Sequence, residues 1–308
     1  MYVQAHTISR TLFANERLLV GEFWCSPDSP RWHSLNNVSA APHVIFPRTP
    51  VTIRQLGRDP VIGDRNQILF YNPGQRYFRS PTSRHGDHCY YVELSSELMA
   101  RLAGGMKSFP FAFGPCDASI FLLQRLAVRH VAEPGRDPQL VGEAMTLALE
   151  NAIAGARSFH EVRVRKREVT RAAHREIVNQ TKQLLIARFR EHLTMAEIAE
   201  SLGISRFQLS RVFRAWTGFS LLGYRNQLRL RTALDRLAAP GTQLPALAKD
   251  LGFSSHSHFT AAFRESFGLL PSDVRGPIRR ELLNAVVARH MATTNVPLLA
   301  ASGCNPPA

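Results

Sequence analysis

Residues 199–225 and 248–275 repeat one another at almost constant separation, and nothing else in the sequence limits the fold as tightly. Ala199, Leu202 and Gly203 recur as Ala248, Leu251 and Gly252, each 49 positions on. Leu209, Phe213, Gly218 and Arg225 recur as Phe259, Phe263, Gly268 and Arg275, each 50 positions on, so the second unit carries one extra residue in its turn. An apolar-periodic segment, one glycine and a second such segment make a helix, a tight turn and a helix.

In the first unit, residues 195–202 place Ile198 and Leu202 on one face. Gly203 then supplies a residue tolerant of positive φ at the helix end. Ser205 with Gln208 gives the S-x-x-Q pattern of a capping box opening the next helix, which reaches about Trp216. Leu209, Val212, Phe213 and Trp216 form its expected core face, leaving Arg206, Phe207, Ser210, Arg211 and Arg214 outside. A short helix entered from a turn and basic on its free face suits the major groove, because arginine donates twice to guanine and also holds phosphates. In the second unit residues 243–251 support a helix over residues 255–267, anchored by Phe259 and Phe263. Its free residues are His256, Ser257, Thr260, Ala261 and Arg264, a much less basic set. Between the units, residues 221–237 form a helix striped by Leu228, Ala233, Leu234 and Leu237 and ended by Ala239-Pro240-Gly241. Such a rigid spacer predicts two readers in adjacent major grooves, about 34 Å apart.

The charge follows the repeat. Of a net +14, residues 1–160 hold 16 Lys/Arg against 13 Asp/Glu, whereas residues 169–290 hold 18 against 9. A polyanionic partner is therefore expected in the last third. Arg163, Arg165, Lys166 and Arg167 form a basic run read as a solvated linker. Four separated cysteines, Cys25, Cys89, Cys116 and Cys304, with no paired C-x-x-C and no secretory leader, predict a reducing cytoplasm. No run is apolar enough for a membrane span.

At 308 residues, two domains are expected. The first hundred residues read as short strands at 16–25, 43–47, 51–56, 67–71 and 90–94, with Asn72-Pro73-Gly74 as a turn, giving a small β-barrel or sandwich. Helical periodicity follows over 120–132, 141–156 and 169–192, and the Pro-, Ala- and Asn-rich tail after about Met291 reads as disordered.

The segments Gly203-Ile204-Ser205, Leu209-Ser210-Arg211-Val212-Phe213 and Gly218-Phe219-Ser220 resemble the first half of the AraC family signature. Leu251-Gly252-Phe253, His256-Ser257-His258-Phe259, Ala262-Phe263-Arg264, Phe267-Gly268 and Pro271 resemble its more specific second half. The resemblance covers about a hundred residues. It implies an α+β multidomain fold: an N-terminal cupin-like β-barrel that senses a small molecule, a helical linker, and a C-terminal all-α domain with two helix-turn-helix motifs. The expected boundaries are 1–105 for the sensor, 106–168 for a linker that also serves dimerisation, 169–280 for DNA binding, and 281–308 for a final helix and tail. Base contacts are implied at Phe207, Ser210 and Arg211, and at His256, Ser257, Thr260 and Ala261. Some members carry arginine at the last of these positions, whereas the side chain of Ala261 donates nothing. Promoter DNA, an unidentified effector, RNA polymerase and a second copy of the chain are the implied partners; no membrane and no cofactor are expected.

Two other readings compete. A cupin-type metal-dependent enzyme would need converging imidazoles, and His85, His88 and Cys89 lie close in sequence, with His33 and His43 upstream. Neither a metal nor catalysis is expected there, since the N-terminal half contains no H-x-H and Cys89 reads as a small barrel hydrophobe. An effector-independent DNA-binding protein would have no use for a near-neutral domain of 160 residues.

Overall fold

A computed structural model describes residues 7–163, 168–239 and 241–293. Most of the basic run and the tail from residue 294 lie outside these, and so do the readings made of them.

The first part of the chain is two antiparallel sheets. The larger has the order β1(Thr7–Ala14), β2(Leu18–Cys25), β9(Asp87–Leu94), β4(His43–Pro47), β7(Gln67–Tyr71), β10(Phe113–Pro115). The smaller has the order β3(Leu35–Asn37), β8(Arg76–Pro81), β5(Val51–Gln55), β6(Val61–Gly63). Strand β7 is buried along its whole length because both its faces are covered. Leu69 and Tyr71 meet Val51 and Ile53 of the small sheet, while Ile68 and Phe70 join Val44, Phe46 and Val92 against helices. Those helices are α2(Ala118–Val131) and α3(Pro138–Arg163), so the layers run small sheet, large sheet, helices. A short α1(Ser96–Leu102) precedes β10.

Five expected strands form, with β9 starting three residues earlier than its apolar run. Strands β1, β3, β6, β8 and β10 were not signalled by sequence. β1 is an edge strand and largely exposed, so it carries little alternation. β8 turns an arginine inward: Arg79 is 2% exposed, 3.5 Å from the Asp87 carboxylate, and its guanidinium lies over the rings of Phe23 and Trp32.

The last part is all helical: α4(Glu168–Arg188), α5(Met195–Ser201), α6(Arg206–Thr217), α7(Leu221–Arg236), α8(Leu244–Asp250), α9(His256–Phe267) and α10(Arg280–Thr293). The first repeat unit has its own core, built from Val178, Leu185, Ile198, Leu209, Val212, Phe213, Tyr224 and Leu228. Leu247, Leu251, Phe259 and Phe263 of the second unit instead belong to the same cluster as α2 and α3.

Helix α7 is buried on two sides. Its apolar stripe of Leu228, Ala233, Leu234 and Leu237 is buried as expected, but Arg229, Arg231 and Thr232 are buried as well. The Asp235 carboxylate meets three guanidinium groups of the N-terminal part: Arg125 at 2.8 Å, Arg65 at 3.1 Å and Arg48 at 3.3 Å. The Arg231 side chain donates to the carbonyls of Arg65 and Cys116. Tyr224 donates to Asp64, and Lys182 of α4 donates to Gln67 at 2.6 Å and to the Ile62 carbonyl. Burial pushes the Asp235 carboxyl up, but Arg125, Arg65 and Arg48 together outweigh burial and hold it well below the usual carboxylate range.

Asp235→Asn is expected to reduce stability by about 3–5 kcal/mol, the usual cost of stripping a buried charge of its partner. Denaturant unfolding checks this, and a loss under about 1 kcal/mol would mean the arginines reach other acceptors. Because the folded-state pKa is depressed, the contribution of Asp235 is complete above about pH 4 and fades only as acid drives protonation of the folded chain.

Candidate nucleic-acid interface

Both repeat units close with the same turn. In the first, Gly203 takes φ 64°, its amide donates to the Glu200 carbonyl at 3.0 Å, and the Ile204 amide reaches back to Ala199 at 3.1 Å. In the second, Gly252 takes φ 78°, its amide donates to Lys249 at 3.0 Å, and the Phe253 amide reaches Ala248 at 3.0 Å. This pair of reverse bonds satisfies the last carbonyls of the first helix of each unit and aims the chain into the second. Ser205 and Ser255 then cap α6 and α9, accepting from the amides of Gln208 at 3.1 Å and His258 at 3.0 Å.

One detail differs from expectation. Ser205 makes only its own half of a capping box with Gln208. The reciprocal pair forms one helix earlier, where Thr194 accepts from the Glu197 amide at 3.2 Å and the Glu197 carboxylate accepts from the Thr194 amide at 2.7 Å. A carboxylate returns to the backbone more strongly than a carboxamide, and it also favours the positive end of the helix.

Leu209, Val212 and Phe213 are buried as expected, whereas Trp216 is only half-buried at the edge of the core. The opposite face of α6 brings together Arg206, Phe207, Ser210, Arg211 and Arg214, with Ser210 half-buried and the others exposed. Phe207 is 76% exposed, and the Arg211 guanidinium rests 5.8 Å from its ring centroid. Among the described residues Arg206, Arg211 and Arg214 enter no ion pair, so their charges remain available to an external anion. On α9 the face consists of His256, Ser257, Thr260, Ala261 and Arg264, with Thr260 half-buried. His256 lies 3.4 Å from the Thr260 hydroxyl, and His258 turns back to Ser254 at 3.0 Å.

The histidines upstream are placed apart. His88 and Cys89 are consecutive residues of β9 and so project to opposite faces of the sheet. His88 pairs with Glu22 at 2.8 Å, His43 with Glu93 at 3.2 Å, and His33 with Ser80 at 3.2 Å, while His85 is exposed. Among the described residues no three histidine, cysteine or carboxylate side chains converge as a metal-binding group. Cys25, Cys89 and Cys116 are buried free thiols, and burial pushes the Cys89 thiol well up. Among the described residues, no helix is long and apolar enough to cross a membrane.

Sequence reasoning missed the seam on α7. Tyr224, Arg231 and Asp235 recur at spacings of seven and four, a second stripe beside the leucines. Arg231 set among Leu228, Leu230 and Leu234 was the available signal of a buried polar face.

A model of the helix-turn-helix domain matches residues 198–276. Regulatory protein SoxS of Escherichia coli is 35% identical over 107 residues, covering 33% of this chain and 96% of SoxS. The chain belongs to the AraC family. The Msm operon regulatory protein of Streptococcus mutans is 30% identical over 112 residues, covering 36% of this AraC-family chain. The chain spans only 40% of the length of the Msm protein. A crystal structure of a transcriptional regulator with an AraC-type DNA-binding domain, from Chromobacterium violaceum, is 30% identical. That comparison covers 34% of this chain and 93% of the other, with a TM-score of 0.32.

The two turn glycines of this AraC-family chain differ in surroundings. A Cβ at Gly203 meets open space, whereas one at Gly252 falls 2.0 Å from the Arg190 carbonyl oxygen. Gly203→Ala is therefore expected to cost about 1–2 kcal/mol, the left-handed penalty alone. Gly252→Ala should cost about 1–3 kcal/mol more through steric conflict. Thermal unfolding of the two variants gives the comparison, and equal losses would contradict it.

Proposed function

We propose that this protein is a sequence-specific DNA-binding transcription regulator whose N-terminal part senses a small molecule. The observation that carries the reading is the face of α6, where three arginines without ion-pair partners among the described residues share one helix face with a phenyl ring that the fold leaves in water. An exposed apolar ring costs solubility and is explained by contact with a thymine methyl or a base edge. In this reading Arg211 reads a base together with Phe207 and Ser210, and Arg206 and Arg214 hold phosphates with the amides of helix starts. His256, Ser257, Thr260, Ala261 and Arg264 contact a second groove. With one arginine, that helix serves more to position and clamp than to discriminate.

The division into a sensor over 1–105, a helical segment over 106–168, a DNA-binding domain over 169–280 and a terminal helix and tail over 281–308 belongs to the same proposal. So do a cytoplasmic setting, a role without catalysis, and RNA polymerase or a second copy of the chain as protein partners. The scattered histidine partners support the sensor over a metal-dependent enzyme. The broad seam between the two parts supports control by the N-terminal domain over an effector-independent binder.

Arg211→Ala should cost about 1–3 kcal/mol of binding and relax preference at one base position. Arg214→Ala should weaken all sites alike and reduce the salt dependence by about one phosphate contact. Binding to a randomised DNA library, followed by titration at several salt concentrations, tests both. An unchanged base preference in Arg211→Ala would remove it from the reading role.

A further inference from the structure

A cleft of about 390 Å³ lies where the N-terminal sheets meet the first helix-turn-helix unit, away from the DNA-facing side of α6. The turn before β6 and strand β10 form one wall, α4 the other, and Trp216, near the end of α6, closes part of it. Its size is that of a small-molecule site, and such sites favour the joins between domains.

The lining has two chemical zones. One is flat and aromatic: the rings of Phe111 and His160 stack at 5.6 Å with only 12° between their planes, and Phe113 and Trp216 lie beside them. The other is cationic, with Arg58, Arg175 and Lys182 against the single carboxylate of Asp59 in the lining. Arg175 is taken up by Asp59 at 2.5 Å. The Lys182 ammonium is held by Gln67 and the Ile62 carbonyl and lies 3.7 Å from the buried Asp64 carboxylate. Arg58 differs from both: it donates once, to the Phe109 carbonyl at 2.9 Å, and no carboxylate among the described residues pairs with it. A guanidinium carries five donors, so most of its fork is uncommitted. Burial pulls its pKa down from the usual arginine value, which marks a charge held partly out of water. The half-buried side-chain amide of Asn179 likewise has no hydrogen-bond partner among the described residues.

We propose that this cleft binds a small organic anion with a planar apolar body, its head group on Arg58 and Asn179 and its body against Phe111, His160 and Trp216. The regulatory consequence rests on the DNA-binding reading above. A ligand touching β10, α4 and the end of α6 together favours one setting of the reading helix, and DNA affinity shifts by its differential affinity for the two settings.

The test uses the full chain and two probes of matched shape, the anionic anilinonaphthalene sulfonate and the neutral N-phenylnaphthylamine, without DNA. The anion is expected to bind with a gain in fluorescence and with energy transfer that Trp216→Phe reduces. Arg58→Gln should weaken the anion by roughly tenfold or more, as loss of a charged hydrogen bond does, and leave the neutral probe unchanged. Ala112→Trp, which fills the cleft, should weaken both probes. Anion affinity unchanged in Arg58→Gln, or equal affinity for both probes, overturns the site. DNA affinity of the unliganded chain is measured separately, so a chain that binds the anion but no DNA sinks the regulator reading and leaves the site standing. A chain that binds DNA but shows no Arg58-dependent anion binding does the reverse.

Discussion

The arrangement of the whole molecule depends on one carboxylate. Asp235 enters a seam that already holds Arg48, Arg65 and Arg125, and without it those side chains would bring three like charges together away from water. Arg231, one turn earlier on α7, adds a fourth guanidinium satisfied mainly by carbonyl oxygens. The helix that separates the two reading units is thus gripped by the N-terminal part along one side and by the core of the second unit along the other. A spacer held this way cannot bend without breaking charge pairs, so the N-terminal part and the reader spacing are mechanically one problem.

The two units share a turn but not a setting. The first stands on its own apolar core with α4, while the phenylalanines of the second are continuous with α2 and α3. Chemistry follows the same division: helix α6 of the more independent unit carries three exposed arginines, and helix α9 of the more embedded one carries a single exposed arginine. In the proposed role, a rigidly anchored clamp and a more separable reader suit one another, since small changes at the seam displace the reader relative to the clamp.

Legibility in the sequence tracked the range of the interactions. The helix-turn-helix units were readable because each needs a residue in left-handed conformation at a fixed place, two or three buried apolar side chains at helical spacing, and a serine cap, all within about 25 positions. Strand β7 was readable because two covered faces demand continuous apolar residues. Strands β1 and β8 were hidden, one by lying at an edge and the other because Arg79 finds Asp87 and two aromatic rings inside the fold. The seam was least readable, for Asp235 meets partners more than a hundred positions away in sequence, and a lone acidic residue near a helix end ordinarily means solvent. Of the interface residues, exposure and face could be deduced from periodicity, but the resting of Arg211 on Phe207 could not.

The inward guanidinium groups also change what the composition means. Arg65, Arg125, Arg229 and Arg231 contribute to the formal +14, yet each is spent on a carboxylate or a backbone carbonyl within the fold. In the proposed DNA-binding role, fewer cations reach phosphates than the count of arginines suggests, because a guanidinium held inside the fold displaces no counterion from DNA. In that role the sequence-blind share of binding is correspondingly small, and a larger share of residence at any one site comes from contacts that distinguish bases.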